Sequence, residues 1–175
     1  MKAVAEKKLD LNIPEYIIYM YQMEDLIRAY ELNLEDIKQY VVDHYPISIE
    51  EKEATTAWFS DLIEQMKVEH ITSKGHLKMT QSQVNLLAQT HWQLLKEDKA
   101  YFCIYNQAKP YIIQMIMDAE GVDIGHEIQI CLNGIYGLLL AKLKGREIPK
   151  IYQEATEAFG TVLSYLNNYL QIKTR

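Results

Sequence analysis

Residues 13–31 constrain the fold of this chain more than any other stretch; they read Ile-Pro-Glu-Tyr-Ile-Ile-Tyr-Met-Tyr-Gln-Met-Glu-Asp-Leu-Ile-Arg-Ala-Tyr-Glu. Turned through about 100° per residue, Ile13, Ile17, Met20, Glu24 and Ile27 fall in one narrow sector of a helix. Tyr16, Tyr19, Met23, Leu26 and Tyr30 widen the apolar arc on one side, and Ile18, Tyr21, Asp25, Arg28 and Ala29 on the other. Only Glu15 and Gln22 mark an ordinary wet face. A helix that is apolar nearly all round belongs inside a domain or at a subunit contact. Asn12 is placed to cap it, and Pro14 suits a first turn, where its missing N–H is not needed.

Glu24, Asp25 and Arg28 stand inside that arc. Glu24 precedes Arg28 by four residues, the favourable order for an intrahelical pair, and Asp25 competes from three residues away. Two readings follow. In one, the charges form a buried ion pair that fixes the helix, and Arg28→Ala should then lose about 3–5 kcal/mol by stranding the carboxylates. In the other they floor a polar pocket, with Arg28 holding an anion or one carboxylate acting as a base. His76, Asn133 and Tyr136 are the further groups expected to reach such a pocket.

The rest of the chain carries the same helical period, and no useful segment alternates with period two. Asn33 with Asp36 caps a second helix that ends before Pro46. Ser48 with Glu51 forms a capping box for a third, whose face is Thr55, Phe59, Leu62, Ile63, Met66 and His70, with Gly75 beyond its end. Thr80 with Gln83 is the expected cap of a fourth, which buries Val84, Leu87, Ala88, His91, Leu94 and Leu95. Asp98 begins a fifth, running to Ala119, with a kink or break expected at Pro110. Its face is Tyr101, Ile104, Tyr105, Ala108, Ile112, Met115 and Ile116. A sixth spans about Gly125 to Lys144. A seventh starts near Pro149 and presents Ile151, Tyr152, Ala155, Phe159, Val162, Leu166 and Tyr169. The expected fold is all-α: a single-domain antiparallel bundle of about seven helices over residues 1–175, with the helix at 13–31 central. Gly134, Gly137 and Ala141 line one strip of the sixth helix. Because helical glycine costs about 0.8–1 kcal/mol relative to alanine, the strip predicts a close helix neighbour.

Composition narrows the function classes. Up to Leu87 the chain carries 15 acidic and 9 basic side chains, and beyond it 9 of each, so neither half is basic and nucleic acid is not expected as a partner. The one basic cluster, Lys142, Lys144, Arg146 and Lys150, surrounds a helix end, where cations complement the dipole. Cys103 and Cys131 form no Cys-x-x-Cys motif and read as reduced thiols. No signal-peptide core and no membrane-length apolar run is present, so a cytoplasmic protein without membrane contact is expected. Thirteen tyrosines stand against three phenylalanines. That balance favours core edges, interfaces or polar-lined interiors, where a ring can bury its body and satisfy its hydroxyl.

Several strings resemble a known family. Tyr19-Met20-Tyr21-Gln22-Met23-Glu24-Asp25-Leu26-Ile27-Arg28-Ala29 is similar to the opening motif of an uncharacterised bacterial family of Bacteroidetes type, a domain of unknown function. Lys74-Gly75-His76-Leu77 and Cys131-Leu132-Asn133-Gly134-Ile135-Tyr136-Gly137-Leu138-Leu139-Leu140 fit the same family more weakly, and the resemblance covers nearly the whole chain. Family members often carry tryptophan where Tyr21 stands. The resemblance implies an all-helical domain and supplies no activity and no catalytic residues.

Enzyme templates are missing. The five histidines, His44, His70, His76, His91 and His126, show no His-x-x-x-His or Glu-x-x-His spacing, so no metal is expected. Phosphate loops and nucleophile elbows are absent, and both cysteines lie in apolar runs, so no cofactor is expected. The leading expectation is a non-catalytic protein acting through protein–protein interaction as a homodimer. The alternative is a small-molecule-binding protein or enzyme with its pocket at Glu24, Asp25 and Arg28.

Overall fold

A computed structural model describes residues 1–173. Among them the chain forms eight α-helices and no strand: α1 (Lys2–Leu11), α2 (Ile13–Ala29), α3 (Leu34–Tyr40), α4 (Ile49–Val68), α5 (Lys78–Glu97), α6 (Lys99–Asp118), α7 (Glu127–Leu143) and α8 (Lys150–Lys173), with a 3-10 turn at Val42–His44. The all-α expectation holds. The extra helix is α1, which buries only Ala5 and so carries no apolar period to reveal it. The expected central helix is α2, which begins where Asn12 takes extended backbone and accepts a hydrogen bond from the Glu15 N–H at 3.1 Å. The chain divides into two compact units, Met1–Ser82 and Gln83–Arg175, and the boundary falls within α5.

In the first unit α2 buries Ile13, Pro14, Tyr16, Ile17, Met20, Tyr21, Met23, Glu24 and Ile27. It packs against α1 and α4, while α3 packs on α4. The Ser48–Glu51 capping box forms with both hydrogen bonds in place. His70 does not extend the buried face of α4. It lies past the helix end with φ +57°, while the N–H groups of His70 and Ile71 return to the carbonyls of Lys67 and Met66. That is a left-handed helix stop with histidine where glycine is the commoner choice.

In the second unit Asp98 caps α6 through the Ala100 and Tyr101 N–H groups, and its other oxygen accepts the Tyr165 hydroxyl at 2.7 Å. α6 runs unbroken through Pro110. Tyr101 stacks at a tilt on Tyr165, while Met115 and Phe159 both lie against Gly134, so α6 and α8 run antiparallel. Ile116, Ile151 and Tyr152, expected on buried faces, are about half exposed, because the helices come together over only part of their length. The small-residue strip on α7 divides in two. A Cβ at residue 134 would stand 2.8 Å from the buried Phe159 ring, whereas one at residue 137 would meet no atom within 4 Å.

That division makes a paired prediction. Gly134→Ala should destabilise by about 1–3 kcal/mol through overpacking. Gly137→Ala should stabilise by up to about 1 kcal/mol through helix propensity alone. Denaturant midpoints that move in the same direction for both variants would contradict this reading.

Candidate functional site

The charges of α2 meet the segment between α4 and α5. Glu24 is fully buried and does not pair with Arg28. Its Oε2 lies 2.7 Å from His76 Nδ1, and its Oε1 accepts the Leu77 N–H at 3.1 Å and the Thr80 hydroxyl at 3.4 Å. Leu77 immediately precedes α5, and the next N–H, that of Lys78, donates to Glu69 at 2.8 Å. Two carboxylates from outside α5 thus meet the unpaired amides at its start, where negative charge is favoured. Thr80 was the expected cap. It instead sits inside the first turn, fully buried, with its hydroxyl turned to Glu24.

Arg28 works at the opposite polarity. One guanidinium nitrogen donates to Asp25 at 3.0 Å, and the other donates to the carbonyls of Ile71 and Gly75. Gly75 adopts φ +94°, a conformation that favours glycine. The Asp25 carboxylate is half exposed. Removing Arg28 therefore strands carbonyls rather than buried carboxylates, and the loss expected from the sequence for Arg28→Ala falls to about 1–3 kcal/mol.

Tyr21, itself buried, stacks on the His76 ring with centroids 3.6 Å apart. With Glu24 ionised, the ring donates through Nδ1–H. Its Nε2 makes no hydrogen bond, and the side chain is 28% exposed. A carboxylate-oriented imidazole can accept a proton or a ligand hydrogen at the outer nitrogen. Burial, then the charge of Glu24, raises the Tyr16 phenol above its ordinary pKa. Leu77 and Thr80 escaped sequence reasoning as partners of Glu24 because they lie 53 and 56 residues away, and no local spacing links them.

Asn133 and Tyr136 belong to the second unit. Asn133 accepts from Gln129 at 2.9 Å and lines a groove of about 370 Å³ formed by α6, α7, α8 and residues 146–149. Tyr136 is partly buried and does not line the groove. Deeper in this unit His91 is fully buried, with Nδ1 2.6 Å from the Tyr101 hydroxyl. Burial lowers its pKa to about 4, so the imidazole is neutral, and burial likewise raises the Tyr101 phenol. Among the described residues no group of three or more His, Cys, Asp or Glu side chains is placed to hold a metal ion.

Both buried polar clusters are open to test. Glu24→Ala leaves a buried amide and a hydroxyl without their acceptor and should lose about 3–5 kcal/mol, with Glu24→Gln losing less. Loss of under 1 kcal/mol in urea unfolding would refute this role for the Glu24 carboxylate. His91 gives a pH signature. Its folded pKa lies below the unfolded value, so its contribution is full above about pH 6.5 and is lost as pH falls towards 4, by on the order of 2–3 kcal/mol. His91→Gln, which can still accept from Tyr101, should flatten that part of the stability profile.

No curated protein and no solved structure matches the chain. A family model does, over residues 2–175. The chain belongs to that family, the domain of unknown function DUF4924.

Proposed function

We propose that this chain is a non-catalytic, cytoplasmic bacterial protein, one domain over residues 1–175, that acts by protein–protein contact and first of all as a homodimer. The observation that carries this reading is the outer face of α6. Ile113, Ile116 and Met117 crowd its last two turns at about half exposure or more, with Phe102 three turns earlier on the same side. Contiguous exposed apolar surface of this kind marks interaction sites more often than free surface. The single family model across residues 2–175 supports treating the chain as one domain. The free thiols Cys103 and Cys131 support a reducing compartment. Among the described residues no helix is long and apolar enough to cross a membrane.

The polar groups of α2 support the same reading. Glu24 and Arg28 each bind the chain's own backbone, so the Glu24 carboxylate and both terminal guanidinium nitrogens are already engaged, while the Arg28 Nε is buried without a partner. One observation favours the alternative of a small-molecule or catalytic site at Glu24, Asp25 and Arg28: the unbonded Nε2 of His76 on an oriented ring. Titrating the His76 side-chain resonances with a panel of small anions reads that alternative, and unmoved resonances at millimolar ligand would end it.

For the leading reading, light scattering over a wide concentration range should give twice the monomer mass. Ile113→Glu with Met117→Glu should return the monomer without lowering the melting midpoint. A parent protein that is monomeric at every concentration would remove the homodimer.

A further inference from the structure

The first unit fixes one nitrogen of His76 and leaves the other open. Glu24 holds Nδ1 at 2.7 Å, and Tyr21 covers one face of the ring with centroids 3.6 Å apart. Nε2 has no hydrogen-bond partner and is not buried. A carboxylate on one imidazole nitrogen fixes the tautomer and makes the other nitrogen the more basic and nucleophilic one. Such a ring has two uses. As a general base for a side-chain nucleophile it needs a hydroxyl or thiol on its outer nitrogen, and among the described residues none bonds there. As a nucleophile itself it needs only access and an electrophile.

Charge around the ring selects the electrophile. From His70 to Lys96 the chain holds three lysines and neither aspartate nor glutamate, although the whole chain carries a net charge of −6. Lys74 and Lys78 lie two residues to either side of His76, so their Cα atoms stand no more than about 7.6 Å from its own. Both are exposed, and among the described residues neither makes an ion pair. Three carboxylates reach this stretch or its neighbours from outside it, and each is already occupied. Glu24 lies on the far nitrogen, Asp25 on Arg28, and Glu69 on the Lys78 N–H. A phosphoryl group arriving at Nε2 gains from both lysines, whereas a neutral acyl or alkyl electrophile does not.

We infer that His76 is a phosphoryl acceptor, modified at Nε2 by a donor that carries a phosphoramidate or an acyl phosphate. The Nε2 lone pair forms the new bond to phosphorus. The bond from phosphorus to the donor breaks, and its electron pair leaves as a neutral amine from a protonated phosphoramidate, or as a carboxylate from an acyl phosphate. Nδ1 keeps its proton, so the phosphorylated ring is cationic, and the Glu24 carboxylate faces that charge. Glu24 is thus a positioning residue that does not touch the phosphoryl group. This modification site rests neither on the homodimer face of α6 nor on a substrate pocket.

The test incubates the full chain with potassium phosphoramidate or with acetyl phosphate. Labelling is read by intact mass, by peptide mapping without acid and by phosphorus NMR. One acid-labile phosphoryl group should appear on Nε2 of His76, at least tenfold faster than on the exposed His44 and His70, which have no carboxylate partner among the described residues. The faster reagent identifies the donor class. His76→Gln should remove the label. Glu24→Gln still accepts from Nδ1–H but lacks the charge, so it should slow labelling at least tenfold while keeping it on Nε2. Lys74→Gln with Lys78→Gln should slow it at least threefold with an unchanged melting midpoint. Ile113→Glu, on the outer face of α6, should be labelled as the parent is, which separates this site from the homodimer reading. No label, a label spread evenly over His44, His70 and His76, or one on Nδ1 of His76 overturns the assignment.

Discussion

The first unit depends on one turn of α2 that carries opposite charges to the two ends of a break between helices. Glu24 faces the N–H groups opening α5, and Arg28, four residues on, faces the carbonyls of Ile71 and Gly75 that follow α4. The carboxylate meets backbone polarity that a helix start leaves unpaired, and the guanidinium meets carbonyls of the segment between the two helices. Burying a carboxylate is costly unless its oxygens are occupied. Here an amide, a hydroxyl and an imidazole occupy them, so a residue that looks misplaced on a helical wheel becomes the fixed point for residues 71–80. The i,i+4 geometry of Glu24 and Arg28 serves to span that break, and the two side chains do not bind each other.

Periodicity reveals which helices exist because each must bury a stripe. It therefore found α2 and every later helix, together with the caps at Asn12, Asn33, Ser48 and Asp98. It missed α1, whose single buried residue is Ala5, and it placed His70 one turn too far along the face of α4. A left-handed stop at a non-glycine residue leaves little local trace. The helix start at Lys78 misled for a related reason. Sequence rules look for a cap within three residues, whereas the acceptors for Leu77 and Lys78 come from Glu24 and Glu69. Of the candidate site, the importance of Glu24, Arg28 and His76 was legible. Their partners were not, since a tertiary hydrogen bond has no period.

The second unit handles its buried polar groups differently. His91 Nδ1 and the Tyr101 hydroxyl pair in a fully buried position while His91 Nε2 has no partner, and burial holds both side chains neutral. Asp98 joins two helices by capping α6 with one oxygen and accepting the Tyr165 hydroxyl with the other. These contacts lie towards the start of α6. Towards its end the layer of Met115, Gly134 and Phe159 is tight, and past it the walls separate around Gly137. The same small-residue strip thus does two jobs, close packing at Gly134 and open space at Gly137, which residue spacing alone does not distinguish.

Polar saturation helps locate function in a chain without a catalytic motif. A charge whose hydrogen-bonding capacity is filled by its own backbone offers little to a ligand, and displacing those bonds would unfold the segment it holds. By that measure the core of α2, the most conspicuous part of the sequence, is largely architecture, although the outer nitrogen of His76 and the buried Nε of Arg28 make no hydrogen bond. Around the groove the balance reverses. Among the described residues Arg146 and Glu147 have no ion-pair partner, Gly137 carries a helix cost that no neighbour explains, and Ile151 and Tyr152 keep apolar surface in water. Folding alone favours none of these, so an external partner is the more economical cause, and the end of α7 is a second place to seek one.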